Sequence, residues 1–86
     1  MGGNQMNANY ILVRLDSDGN ELLAKAGGKT RFQFFSRTTA VKAMEMAIEC
    51  NPDVHYTKLY RRHRAGGYRW VASRFRDGSH LSTWGE

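Results

Sequence analysis

Tyr10–Leu15 is a compact apolar run that stops at Asp16-Ser17-Asp18-Gly19-Asn20, residues whose side chains bond their own backbone or tolerate positive φ. The pattern predicts a strand followed by a tight turn. Residues 21–26 resume as a weaker strand, and Gly27-Gly28 permits a second reversal. Residues 30–35 then set Phe32 and Phe34 against Arg31 and Gln33, the period of two of a half-buried strand. Beyond Ser36 the period changes. Ala40, Val41, Ala43, Met44, Ala47 and Ile48 recur at three- and four-residue spacing, which predicts a helix over about 37–50 with one apolar stripe. Hydroxyls at Ser36, Thr38 and Thr39 are available to cap its start. Asn51-Pro52 ends it, because proline pushes the preceding residue out of helical geometry.

Residues 54–64 and 68–76 read as two more strands, joined at Ala65-Gly66-Gly67. The loop length decides which side chains share a face. A three-residue loop with Gly67 in the left-handed region pairs Arg64 with Tyr68, Arg62 with Trp70 and Tyr60 with Ala72. One face then carries Tyr56, Lys58, Tyr60, Arg62, Arg64, Tyr68, Trp70 and Arg74. The other carries Thr57, Leu59, Val71, Ser73 and Phe75, apolar enough at its centre to lie on the helix. A two- or four-residue loop puts Leu59, Arg61 and His63 beside Trp70 and splits the apolar residues between faces, so the three-residue loop segregates them better. The expected fold is α+β, an antiparallel sheet with one helix packed on one face, in the order β-β-β-α-β-β. A single domain spans 9–77, between an aperiodic N-terminal tail, 1–8, and a short C-terminal tail, 78–86, polar apart from Leu81 and Trp84.

Charge sharpens the reading of the last hairpin. Residues 1–53 balance six basic side chains against six acidic ones. Residues 54–86 hold Lys58, Arg61, Arg62, Arg64, Arg69, Arg74 and Arg76 against Asp77 and Glu86, which accounts for the whole net charge of +5. A pI of 9.8 favours polyanionic partners in general, without choosing among nucleic acid, an anionic membrane surface and an acidic protein. Cys50 is the only cysteine, so an internal disulfide and a cysteine zinc site are both excluded, as suits a reducing compartment. No apolar run approaches the ~18 residues of a membrane span, and Met1-Gly2-Gly3-Asn4-Gln5-Met6 has neither the basic start nor the apolar stretch of a signal peptide. The expectation is a soluble, cytoplasmic protein without a membrane partner or a cofactor.

Tyr56, Tyr60, Tyr68, Trp70 and Phe75 lie among the arginines of this hairpin. Guanidinium groups pair bidentately with phosphate and aromatic rings stack on bases, so the mixture points to single-stranded RNA or DNA. The same mixture also occurs where arginine stems cover rings on an ordinary solvated strand pair. Gly27-Gly28-Lys29-Thr30 has the end of a phosphate-binding loop, but Leu23 stands where the motif needs its first glycine and a strand follows instead of a helix. Asp16-Ser17-Asp18-Gly19-Asn20-Glu21 lacks the flanking helices and distal glutamate of a calcium loop, and a hairpin turn is the simpler reading. His55 and His63 share a strand face but stand roughly 26 Å apart at ~3.3 Å per residue, too far for one metal ion. Met46 lies off the main helix stripe, a candidate for a soft contact.

The strand-helix-strand order, small size and basic finish resemble short phage-encoded or mobile-element proteins that bind host nucleic-acid machinery, such as inhibitors of bacterial RNA polymerase. The resemblance is one of architecture alone and carries over no residue. It implies an alternative in which the basic hairpin docks on an acidic surface of a host protein. A third class is a small metal-independent ribonuclease built around His63, with Arg61, Arg64 and Tyr68 nearby. No paired carboxylate or second histidine completes an acid–base couple, so the expectation is a non-catalytic nucleic-acid-binding domain.

Overall fold

The computed structural model describes residues 8–23 and 30–83. Five strands and one helix follow in the order β1 (Tyr10–Leu15), β2 (Arg31–Phe34), α1 (Arg37–Cys50), β3 (Tyr56–Arg62), β4 (Tyr68–Phe75) and β5 (His80–Ser82). The strands form one antiparallel sheet, ordered β2-β1-β3-β4-β5, and α1 packs across one face of it. The α+β class, with one helix among the described residues packed on one face, is as the sequence predicts.

The order of the elements differs from expectation in two places. The weak strand expected at 21–26 is reduced, among the described residues, to one bridge between Leu15 and Glu21, with 24–26 outside them. Gly27-Gly28-Lys29 also lies outside the described residues. At the other end, His80–Ser82 is a strand where a tail was expected. A tight turn makes it one. Asp77 Oδ1 accepts from both the Ser79 N–H (2.9 Å) and the Ser79 hydroxyl (2.6 Å), while Phe75 N–H donates to the Ser79 carbonyl (3.0 Å). At the N-terminus Ala8, expected in the tail, is only 2 % exposed and its carbonyl accepts from the Tyr68 hydroxyl (2.7 Å), while residues 1–7 lie outside the described residues.

The helix obeys its sequence signals. Ser36 caps it, its Oγ accepting from the Thr39 N–H (3.2 Å), and Ala40, Met44 and Ile48 are buried one turn apart. Ala40 and Met44 meet Tyr10, Leu12, Leu59, Val71 and Ala72 in the core, with Phe32 and Phe34 at its margin. On the same face Thr57 is fully buried, its hydroxyl exchanging hydrogen bonds with the Arg74 backbone (3.2 and 3.3 Å). No helix among the described residues is long and apolar enough to cross a membrane.

The last turn of α1 contains no basic residue to oppose its carbonyl dipoles, and Arg76 supplies that charge from just beyond β4. Its Nη2 donates to the carbonyls of Ile48 (3.0 Å) and Asn51 (2.7 Å), and its Nε to that of Val54 (2.9 Å). Replacing Arg76 with alanine is expected to lower unfolding stability in urea by about 1–2 kcal/mol, with Arg76→Lys recovering only part because an ammonium lacks the planar fork.

The turn into β5 has its own pH signature. Hydrogen bonds from the Ser79 hydroxyl and then its N–H hold the Asp77 carboxyl below the usual aspartate range. A carboxyl depressed in the folded state stabilises the fold above its unfolded pKa, and that stability is lost as pH falls through the folded value. The Ser79 amide resonance should therefore move with an inflection below the ordinary aspartate pKa, as β5 amides lose exchange protection. Asp77→Asn should abolish the inflection.

Candidate functional site

The β3–β4 hairpin is closed by a loop of five residues, not three. Arg62 pairs with Tyr68, and the His63 N–H donates to the Gly67 carbonyl (2.9 Å) across residues 63–67. Gly67 does take the left-handed conformation (φ +73°), and Gly66 also has positive φ (+108°). The pairing is displaced by two residues from the expected one, so parity survives. Tyr60 stands opposite Trp70, and both share a face with Arg62 and Tyr68. Arg64 is not paired with Tyr68 but sits exposed in the loop.

Below Trp70 the register slips again, because Tyr60 pairs with Trp70 and Leu59 with Ala72, leaving Val71 as a bulge. A bulge adds one residue to one strand and exchanges the faces of everything beyond it. Ser73 and Phe75, expected against the helix, come to the open face opposite Lys58 and Tyr56. Arg74, expected on the open face, goes to the helix side opposite Thr57, where its Nη2 pairs with Glu45 of α1 at 3.2 Å. Arg74 is therefore withdrawn from the candidate surface as a packing residue.

The face away from α1 is left with five aromatic rings on two strands, Tyr56, Tyr60, Tyr68, Trp70 and Phe75, interleaved with Lys58 and Arg62. Tyr56 and Phe75 stack with centroids 5.7 Å apart and planes 20° from parallel. The indole of Trp70 is held in place by its Nε1–H, which donates to Ser73 Oγ at 2.8 Å. Tyr56, Tyr60, Trp70 and Phe75 are partly exposed, and Tyr68 is about one-third exposed, at 36 %. This is not a bare sheet. Val13 and Leu15 of β1 project to the same side and are buried, Val13 flanked in register by Arg31 and Lys58. Arg31 forms a two-point contact with Glu21 (3.2 and 3.4 Å), which holds the Glu21 carboxyl below its ordinary value and raises the guanidinium.

The hairpin's positive charge is divided by this geometry. Arg74 and Arg76 are committed to the helix, while Arg61, Arg62, Arg64 and Arg69 gather at the loop end. Arg61 and Arg69, which the sequence reading left off the candidate face, stand directly opposite one another on the helix side. The dipeptide Arg61-Arg62 carries the signal for them, since neighbours on a strand must point to opposite faces. Three clefts converge on residues 62–64. One, of about 350 Å³, runs to Asn9, Phe35 and Arg37; a second, of about 570 Å³, to Arg69, Val71 and Thr83; a third, of about 470 Å³, to Gly66, Gly67 and Tyr68.

His63 is drawn into the loop, its Nδ1 accepting from the Ala65 N–H (3.2 Å), and among the described residues no carboxylate lines any of the three clefts. Asp16 Oδ1, in the turn that superficially resembles a calcium loop, accepts from the N–H groups of Asp18 and Asn20 (both 2.9 Å). Its geometry is that of a hairpin turn. Met46 is exposed on the far side of α1, away from this surface. Comparison with protein-family models, with curated proteins and with solved structures finds no match to this chain.

Proposed function

We propose that the protein binds single-stranded nucleic acid, RNA or DNA, on the open face of its sheet and performs no chemistry on it. The observation that carries this reading is the placement of Tyr60 and Trp70 side by side on a helix-free sheet face, with Lys58 and Arg62 on the same face. Aromatic rings accept any base by stacking, and cations beside them hold the backbone. The Trp70 ring is already fixed by its bond to Ser73, so little ordering entropy remains to be lost on binding. Arg64 extends the positive surface from the loop. A cytoplasmic setting fits the lone, exposed Cys50.

With Lys58, Arg62 and Arg64 each neutralising one phosphate, the slope of log K against log salt on a single-stranded oligonucleotide should be roughly −2, taking ~0.7 per phosphate. Arg62→Ala should flatten that slope by roughly 0.7. Trp70→Ala should leave the slope alone but weaken binding by about 1–3 kcal/mol, while Trp70→Phe, which keeps a stacking ring, retains most of the affinity. Tyr60→Ala serves as the second variant if Trp70→Ala melts too low to compare. Salt-insensitive affinity, or no binding to any oligonucleotide at low salt, would reject this reading in favour of docking on an acidic protein surface. Cleavage of the oligonucleotide in the presence of a chelator would instead favour the ribonuclease.

A further inference from the structure

The helix side of the hairpin's loop end runs against ordinary stabilising chemistry. Arg61 and Arg69 are direct cross-strand partners, so their side chains leave the sheet together, and like charges placed that way repel. None of the ion pairs or side-chain hydrogen bonds among the described residues involves Arg61, Arg64 or Arg69. Among the described residues, the two clefts flanking Arg61 are each lined by four arginines and no carboxylate. Arg61, Arg62 and Arg64 are common to both, Arg37 completes the one beside the start of α1, and Arg69 the one beside Thr83.

We infer that the cleft between Arg61 and Arg69 is a phosphate-binding site, on the opposite side of the sheet from the aromatic platform, with Arg61 and Arg69 belonging to it alone. A guanidinium pairs bidentately with two oxygens, and the three terminal oxygens of a phosphate monoester, or the two of a diester, carry enough lone pairs for guanidinium groups to approach from both sides. A bound phosphate also places negative charge between two arginines that otherwise repel. Arg64, exposed in the loop, is positioned to close over it. The ligand chemistry is a phosphate group, whether the terminal monoester of a nucleotide chain or a backbone diester.

The test is a heteronuclear NMR titration of the full chain with inorganic phosphate, with sodium acetate at matched ionic strength as the control. Phosphate should shift the Arg61, Arg64 and Arg69 backbone and guanidinium Nε–H signals saturably, and acetate should not. Arg69→Thr should weaken phosphate binding by roughly ten- to a hundredfold, the loss of one charge-assisted contact. Arg61→Thr should do the same, and Lys42→Ala, an exposed cation on α1, should bind as the parent does. Oligonucleotides with a 5′-phosphate or a 5′-hydroxyl end then separate the sources. Preference for the phosphorylated end assigns the monoester, and equal affinity, still reduced by Arg69→Thr, assigns the backbone diester. Absence of a saturable shift, equal shifts with acetate, or parent-like binding by Arg69→Thr would each overturn the site. Because inorganic phosphate has no base to stack, these results stand or fall separately from binding on the open face.

Discussion

One extra residue in β4 determines the character of both faces of the sheet. With Val71 bulged, Trp70 remains beside Tyr60 on the open side while Ala72 and Arg74 turn to the helix. Val71 itself joins Ala72 in the core, so the bulge adds apolar contact under α1 where a regular strand would offer alternate positions only. The other half of the exchange sends Phe75 outward to stack on Tyr56. A straight β4 in the expected register would have lined the core with Ser73 and left Arg74 in solvent. The bulge therefore serves packing and surface at once.

The same displacement sorts the positive charge by task. Arg74 reaches Glu45 and Arg76 reaches the last carbonyls of α1, so the base of the hairpin spends its cations on holding sheet to helix. Arg14 is engaged within the sheet instead, lying over the Phe32 ring at 4.9 Å and donating to the Leu22 carbonyl. The arginines at the loop end have no such structural duty in Arg61, Arg64 and Arg69. A charge excess confined in sequence to the last third is thus divided again in space, neutralised near the helix's end and concentrated near its start. Electrostatic guidance of an anionic partner depends on that concentration more than on net charge.

Much of this was legible in the residues. The helix announced itself through its apolar stripe, Ser36 and Pro52, and each of these does in the structure what its chemistry suggests. Six of the eight candidate surface residues, Tyr56, Lys58, Tyr60, Arg62, Tyr68 and Trp70, share a face because a two-residue error in register preserves parity. Arg74 was misplaced because Arg69–Phe75 contains no glycine or proline to mark the bulge, which arises from packing under α1. The loop reads short in the sequence because His63 and Arg64 have the character of strand residues, whereas in the structure His63 folds back to bond Gly67 and Ala65. The fifth strand is three polar-flanked residues whose pairing depends on the Asp77-Gly78-Ser79 turn, a signal present in the sequence but attached to a segment too short to show a period.

The Arg76 clamp has a consequence for how the chain comes to be folded. The carbonyls that end α1 find their strongest donor about 25 residues further along, and the Ala8 carbonyl finds its hydroxyl 60 residues away at Tyr68. Contacts of such separation close late, since the loop entropy is lost before the bond is gained. An emerging chain can wind its helix early, but the helix end stays frayed until the last third has been made. The end of α1 is therefore closed only once β4 and Arg76 are in place, and the basic loop and its neighbouring sheet face are assembled in that same step.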